Sequence, residues 1–531
     1  MRAPTFVSSV GAESVHGGSV MEWSGGYVAD IGYTADFYRE TAPSHLAFAA
    51  LSVGRSPGRA FQPRRYLELG FGQGFGLALL AAANPDVEFE GYDFNPEHVA
   101  HARRLIHGAG LANASVSEIS FEEAAARGGD NDLDVVALHG ILSWVGQTAQ
   151  EAIVEVLRQR VQPEGIVYAS YNCMPGWAPL LPIRQFMLQV KHRHATSSDR
   201  QVALALDLLG KLKDAHAHYF AANPAAEQQL DRMRQQDRAY LAHEFLHEHW
   251  DLFPFADLAA RLAAAKLNYV ASATLPENFD HYAVPQALAP LVAESGDPIM
   301  RETLRDYASN KRFRRDVFAR GSTAPMTAAE HRRMLSGLRF ALAVPRDKVV
   351  LAFDGPLMKM TGRANLYGPI LDALVGRIAE FDELASAFPL TAENRLAMLL
   401  DCLCLLVHSG QVLPIIGAAG DPEPAKRFNR MVVEHSREGR FYFCLASPVA
   451  RTGIRVGEFA LWALAADLDG AADNAETAAR HALAGIKSLG RRPARDGKLI
   501  QDDEEAVPFI ADNIAPVIDG LMPIWRQLGV W

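Results

Sequence analysis

The residues with the plainest chemical meaning are the glycines of Glu68-Leu-Gly-Phe-Gly-Gln-Gly74, which follow a β-rich run over 65–69 and open a helix. Gly70, Gly72 and Gly74 permit tight turning and close approach of the backbone to a ligand, where a Cβ would collide. The dinucleotide pattern G-x-G-x-x-G fails, because Phe75 or Leu77 stands where its third glycine is required. What remains is acidic-x-G-x-G-x-G, with the Glu68 carboxyl at the strand end. A carboxylate there repels a pyrophosphate and tolerates the cationic sulfonium and amino-acid portion of S-adenosyl-L-methionine. The pattern predicts a site for that donor, with S-adenosyl-L-homocysteine as its product.

The neighbouring β runs supply the rest of such a site. Asp93 ends the second run in Gly91-Tyr-Asp-Phe-Asn-Pro96, where an acidic side chain takes the ribose hydroxyls. Asn95 caps the following helix better than Asp93 would, leaving the aspartate available. Phe94 is placed beside the adenine, and Ser120 and Phe121 give one polar and one apolar contact to the base. His139, just after the fourth run, contacts the donor or relays a proton, or is a structural histidine.

These elements must be positioned by a fold, and the pattern supplies one. Short β runs at 65–69, 88–92, 114–119, 134–138 and 165–171 alternate with helices starting near 74, 96, 121 and 148, as in a Rossmann-like α/β sheet covered on both faces. The expected organisation is a tail and aromatic lid over 1–54, a Rossmann-like donor-binding core over 55–182 and a helical insertion over 183–250. A return to the core follows over 251–321, ending on an antiparallel strand at 313–320. A winged-helix-like unit over 322–425 and a helical domain over 426–531 complete the chain, with loops at 445–456 and 491–498.

The chain resembles bacterial class I S-adenosylmethionine-dependent methyltransferases with a methyltransferase regulatory domain, and among them protein-lysine methyltransferases of outer-membrane surface proteins. The resemblance rests on Tyr33–Pro43, the glycine loop, His139-Gly-Ile-Leu-Ser-Trp-Val145, Ser170-Tyr-Asn-Cys-Met-Pro-Gly-Trp177 and Tyr240-Leu-Ala-His-Glu-Phe-Leu246. It spans roughly the first 280 residues. Phe71 stands where the family commonly has cysteine, a change the loop tolerates because its backbone does the binding. The resemblance implies an enzyme whose partner is a protein, such as an outer-membrane or surface protein before export, and the lack of a signal sequence leads us to expect it in the cytoplasm.

For a lysine acceptor, the ε-ammonium, with an ordinary pKa near about 10.4, must lose a proton before in-line displacement, and an apolar aromatic pocket favours the neutral amine. Tyr33, Trp144, Tyr171 and Trp177 are therefore placed around the reacting centre, with Asn172 offering an amide oxygen to the amine. Each has a plainer reading, as a core aromatic or a strand residue facing away. No Asn/Asp-Pro-Pro-Tyr loop of nucleic-acid N-methylating enzymes follows the fourth run. A small-molecule methyltransferase, or a non-catalytic donor-binding regulator, are the alternatives.

Composition narrows the classes further. The formal charge of -10 over 531 residues disfavours a phosphate backbone as partner. The basic stretch over 301–320 reads as a solvated face. Four cysteines match neither a disulfide framework nor a zinc ribbon, and no signal sequence or run of 18 uncharged apolar residues suggests an anchor. The oligomeric state is not legible. His243-Glu-Phe-Leu-His247 matches H-E-x-x-H, the helical zinc-protease pattern, but Trp250 interrupts its extension, and Glu277 or His249 are only guesses at a third ligand. No metal is expected, and that run is read as helical core.

Overall fold

The structure is a computed structural model and describes residues 35–321, 323–389 and 395–531. Its centre is a seven-stranded sheet of β1 Arg65–Leu69, β2 Glu88–Asp93, β3 Ala114–Glu118, β4 Leu133–Leu138, β5 Val161–Asn172, β6 Leu267–Ser272 and β7 Phe313–Arg320. The order is β3-β2-β1-β4-β5-β7-β6. Strands β1 to β5 pair in parallel, and β7 runs antiparallel between β5 and β6. This is the Rossmann-like methyltransferase sheet. Strand order reverses between β1 and β4, so the C-terminal ends of neighbouring strands splay apart there and leave a crevice.

Five helices cover the parallel half: α1 Pro43–Ser52, α2 Phe75–Ala83, α3 Pro96–Gly108, α4 Phe121–Arg127 and α5 Gln147–Arg160. Helix α3 begins where Asn95 Oδ1 accepts from Glu97 N at 2.9 Å and Pro96 fits the first turn. Helix α2 is apolar on every side. A helix of that kind must be covered all round, and its outer face is packed by Phe428, Tyr442 and the hairpin Cys444–Ser447 with Thr452–Arg455. That hairpin occupies the stretch expected to be a loop at 445–456. A shorter pairing, Ala494–Arg495 with Lys498–Leu499, replaces the loop expected near 491–498.

Between β5 and β6 the chain forms α6 Leu181–Arg193, α7 Ser198–Asp214, α8 His218–Ala222, α9 Pro224–Met233 and α10 Arg238–Phe245. These helices share a core of their own, built on Ile183, Met187, Val202, Leu206, Leu230, Leu241 and Phe245. Helix α11, Phe255–Ala263, then leads back into β6.

The stretch over 301–320 is not the solvated face its charge suggested. Arg314, on β7, is buried and ion-paired with Glu302, Asp306 and Asp316, so its charge is matched inside the core rather than in water.

Further along, a three-stranded antiparallel sheet sets Arg339–Leu342 between Ala379–Glu380 and Val412–Ile415. Helices Ala364–Ala373, Phe381–Ala387 and Arg395–His408 pack on it. The first of these helices ends at Ala373, and the middle strand enters from upstream of all three. That departs from winged-helix order, in which the last strand returns through a wing. Leu399, Leu403 and Leu406 sink Arg395–His408 into the core. The C-terminal region is mainly helical. Among the described residues one helical run, Asp503–Gln527, is long and apolar enough by composition to cross a membrane; its Ala506, Ile510, Ile514 and Trp525 side chains are buried in the core.

Candidate active site

The C-terminal ends of β1 to β4 converge on a cavity of about 940 Å³. One wall carries Gly70, Gly72, Asp93 and Phe94; Ile119, Ser120 and Phe121 form a second; His139, Ile141 and Trp144 a third. The opposite wall is made by Tyr240, His243, Glu244 and His247 of α10 and the residues just after it.

The glycine loop is held by its own geometry. Gly70, Gly72 and Gly74 all have positive φ, at 68°, 57° and 72°. A Cβ on Gly74 would sit 2.3 Å from Ala102 Cβ, so that glycine allows close packing of the loop on α3. At Gly72 nothing lies within 4 Å of the Cβ position. The loop is thus bare backbone facing the cavity.

Asp93 organises this loop from below. Its Oδ2 accepts from Gly72 N at 2.9 Å, its Oδ1 accepts from Asn95 N at 2.9 Å, and His98 Nδ1 lies 3.3 Å from Oδ1. Glu68 is buried close by, and its Oε2 has no hydrogen-bond partner. Burial and the neighbouring Asp93 carboxylate push the Glu68 carboxyl up to about 8. It is therefore mostly protonated at neutral pH, and not the standing anion expected from sequence; a cation placed beside it would restore the charge.

An orphaned buried carboxyl oxygen, a glycine loop with empty space at Gly72 and an apolar slot of Phe94, Ile119 and Phe121 fit a donor with a cationic amino-acid end and a flat base. The Ser120 hydroxyl lines the slot while capping α4, accepting from Glu123 N at 3.1 Å as Glu123 Oε2 accepts from Ser120 N at 2.8 Å.

His139 is wedged in place. The Tyr38 ring stacks on it with centroids 3.7 Å apart, and its Nδ1 lies 2.9 Å from Tyr168 Oη. Burial, with the Arg315 charge adding to it, pushes His139 down to about 3, so it is neutral and cannot act as a cation near pH 7. Next to it Gly140 N donates to Ser170 Oγ at 2.8 Å.

The residues expected around the acceptor divide. Trp144 lines the cavity and lies 5.2 Å from His247, ring to ring. Asn172 is buried at the end of β5, where its backbone N donates to Ser143 Oγ at 2.8 Å, and its amide faces Glu244. Tyr171 is a correction: it is fully buried on the other face of β5, and its hydroxyl donates to Asp316 Oδ2 at 2.5 Å. Successive strand residues point to opposite faces, so Tyr171 cannot share the side taken by Tyr168, Ser170 and Asn172. Trp177 also lies off the cavity, packing edge-on against Trp250 and Phe245. Tyr33 lies outside the described residues.

Sequence reasoning missed Tyr38, Ile141, Tyr240 and Glu244. The H-E-x-x-H run was the available signal for the last, since it put several polar side chains on one turn of helix. Among the described residues no three His, Cys, Asp or Glu side chains come together as a metal site, and Glu277 is engaged by Lys311 and Ser272.

Comparison with known proteins accounts for both walls. A methyltransferase domain model matches residues 67–167, and a model described as a predicted methyltransferase regulatory domain matches 237–320. The chain is 32% identical to uncharacterized protein sll1526 of Synechocystis sp. over 518 residues, covering 96% of this chain and 100% of that one. The chain belongs to the class I S-adenosylmethionine-dependent methyltransferases that carry a methyltransferase regulatory domain. A second relative, uncharacterized protein RP789 of Rickettsia prowazekii, is 27% identical over 288 residues, 54% of this chain and 51% of that one. The fold of this methyltransferase is shared along nearly its whole length with PKMT2 from Rickettsia typhi in complex with AdoHcy. The TM-score is 0.66 at 20% identity, over 94% of this chain and 99% of that chain. The regulatory-domain match includes α10, so the methyltransferase cavity joins the glycine loop of one matched region to the helix of the other.

Proposed function

We propose that this enzyme methylates the ε-amine of a protein lysine, in the cytoplasm, on a substrate that can include an outer-membrane or surface protein before export. The observation that carries the reading is the single cavity with a glycine loop and Asp93 on one side and the polar, aromatic face of α10 on the other. The fold shared with PKMT2 from Rickettsia typhi, whose structure is in complex with AdoHcy, adds support.

S-adenosylmethionine, when bound, supplies an electrophilic methyl group. Asp93 and the Gly70–Gly74 backbone would hold the ribose and the amino-acid end of the donor, and Phe94, Ile119 and Phe121 the base. The orphaned Glu68 oxygen suits the cationic end. Trp144 and the neutral His139 add aromatic, uncharged surface to the space beyond the loop. Such surroundings favour a free amine over an ammonium and stabilise a sulfonium through ring faces. Alignment of amine and methyl by these walls supplies the main rate advantage of an in-line displacement.

The test is mass spectrometry of a source-cell proteome incubated with the enzyme and deuteromethyl donor. Deuteromethyl-lysine in a small set of proteins is expected. Label confined to low-mass products would replace the reading with small-molecule methylation, and donor binding without label anywhere would favour a regulatory donor-binding protein.

A further inference from the structure

Helix α10 brings the His243-Glu-Phe-Leu-His247 run to the cavity, and its glutamate is the unusual member. Glu244 lines the cavity, yet its Oε1 is buried without a hydrogen-bond partner. Asn172 Nδ2 and Trp250 Nε1, the polar groups turned towards it, are likewise buried without a formed hydrogen bond. Both donors are close enough to act on the Glu244 carboxyl, yet neither makes a hydrogen bond of good geometry to its Oε1. A buried polar atom without a good hydrogen bond costs about 1–3 kcal/mol, so the Glu244 oxygen at the cavity wall marks a place that a polar guest would fill.

The guest's chemistry follows from the surroundings. The subsite offers the Glu244 carboxyl, backed by the Asn172 amide and the Trp250 indole, in a cavity also lined by Trp144, whose ring lies against His247. The carboxyl and the amide oxygen suit a nitrogen bearing hydrogens, and the aromatic wall suits a cation on an aliphatic chain. Resting on the amine reading above, we infer that Glu244 takes the proton from the acceptor's ammonium group, with Asn172 steadying the amine that results.

The step balances within the known reaction. One N–H bond of the ammonium breaks and its proton goes to a Glu244 carboxylate oxygen. The freed nitrogen lone pair forms the new N–C bond as the C–S bond breaks, with the C–S electron pair going to sulfur. The methylated nitrogen leaves as an ammonium, and Glu244 returns its proton to solvent.

The electrostatics agree. Burial pushes the Glu244 carboxyl up to about 7, with the Asn172 amide and the Trp250 indole pulling the other way, so acid and base forms both exist near neutral pH. On the same helix Tyr240 is raised to about 12 by burial and by Glu244 itself, and His243 lies one residue away. His247 is pushed down to about 3, first by burial and then by His243, Lys191 and Arg184. Arg184, from α6, lies over the Trp250 ring at 5.2 Å and donates to His247 O at 2.6 Å. With His139 held neutral across the cavity and Glu68 on the donor side, Glu244 is a carboxyl on the α10 wall that exchanges a proton near neutral pH.

The test is calorimetry on the full chain with two probes: an S-adenosylhomocysteine analogue whose sulfur is replaced by nitrogen bearing an aminoethyl arm, and the same analogue bearing a methyl. Wild type is expected to prefer the aminoethyl probe by about tenfold or more, releasing protons as it binds. Glu244→Gln is expected to keep its affinity for the methyl probe and lose both the preference and the proton release, while Glu244→Asp retains part of each. No preference in wild type, or an undiminished one in Glu244→Gln, would overturn the inference. Should Glu244→Gln fail to bind the methyl probe, Asn172→Ala tests the same subsite from β5, with the same expected and overturning results. Binding of neither probe by wild type would instead overturn the donor-site reading, and this inference with it.

Discussion

The Tyr38 ring lies flat on the His139 imidazole, centroids 3.7 Å apart and planes 22° apart, and so joins the segment ahead of α1 to the end of β4. The same segment is tied to the C-terminal half, where Arg39 donates to Val407 O at 3.0 Å and His408 O at 2.5 Å, and Asp36 pairs with Arg455. Residues 36–39 therefore bridge the end of β4 and the C-terminal half of the chain.

Removing that ring should release the histidine. In wild type His139 is held at about 3 and should show no titration in proton NMR between about pH 5 and pH 8. Tyr38→Ala admits water, so the His139 signal should titrate measurably closer to its ordinary range, with stability lowered by about 1 kcal/mol from the lost stacking. A wild-type His139 titrating near its ordinary value would contradict the burial argument.

Glu68 gives a prediction about stability and pH. Its folded pKa, about 8, lies above its unfolded value, so between the two the folded state holds a proton that the unfolded chain has released. Its presence therefore costs stability increasingly as pH rises from the ordinary carboxyl range towards about 8, by up to about 1.4 kcal/mol per unit. Glu68→Gln should melt above wild type at about pH 8, with the gap closing towards about pH 5. The same variant should bind S-adenosylmethionine more weakly, and the cationic donor should bind wild type more tightly as pH rises. A melting gap independent of pH would count against the assignment.

The C-terminal domain reaches the donor loop through Tyr442. His101 Nδ1 lies 2.6 Å from Gln73 O, and its Nε2 lies 2.9 Å from Tyr442 Oη, while the Tyr442 ring stacks on Phe75 at 4.7 Å. Tyr442→Phe keeps the stack and removes the hydroxyl. A net hydrogen bond of about 1 kcal/mol translates into a loss of S-adenosylhomocysteine affinity of about fivefold, readable by calorimetry. Unchanged affinity would show that the loop does not depend on this contact.

Tyr171 is expected to matter for folding and not for the cavity. Tyr171→Phe takes a donor from buried Asp316, already paired with Arg314, and should cost about 1–3 kcal/mol in denaturant unfolding while leaving donor affinity unchanged. A fall in affinity without a fall in stability would restore Tyr171 to the site.

Much of the donor side was legible because its signals are local. The run over 65–69 ends on glycines, Asp93 ends the next strand, and Asn95-Pro96 announces a helix start; each follows from steric and capping rules acting over a few residues. The strand bounds Arg65–Leu69 and Phe313–Arg320 were read as they occur. Tyr171 could have been excluded by strand alternation, since its strand neighbour Asn172 was placed at the same centre. The α10 wall was not legible because α10 comes to the cavity opposite the glycine loop only through tertiary packing, and a five-residue pattern cannot say which wall of which cavity it joins. Arg314 was misread for a related reason: its partners Glu302 and Asp306 lie on the preceding helix, Pro298–Ser309, and charge counted along the chain cannot reveal a pairing made in space.

The central claim is that the glycine loop and Asp93 bind the sulfonium donor. It is tested most directly by calorimetric titration of wild type and Asp93→Ala with S-adenosylhomocysteine, with circular dichroism to verify that both are folded. Wild type should bind one equivalent, and Asp93→Ala should bind at least about tenfold more weakly, from loss of charge-assisted hydrogen bonds to ribose and loop. Equal affinity in the two proteins, or no binding by wild type, would contradict the account.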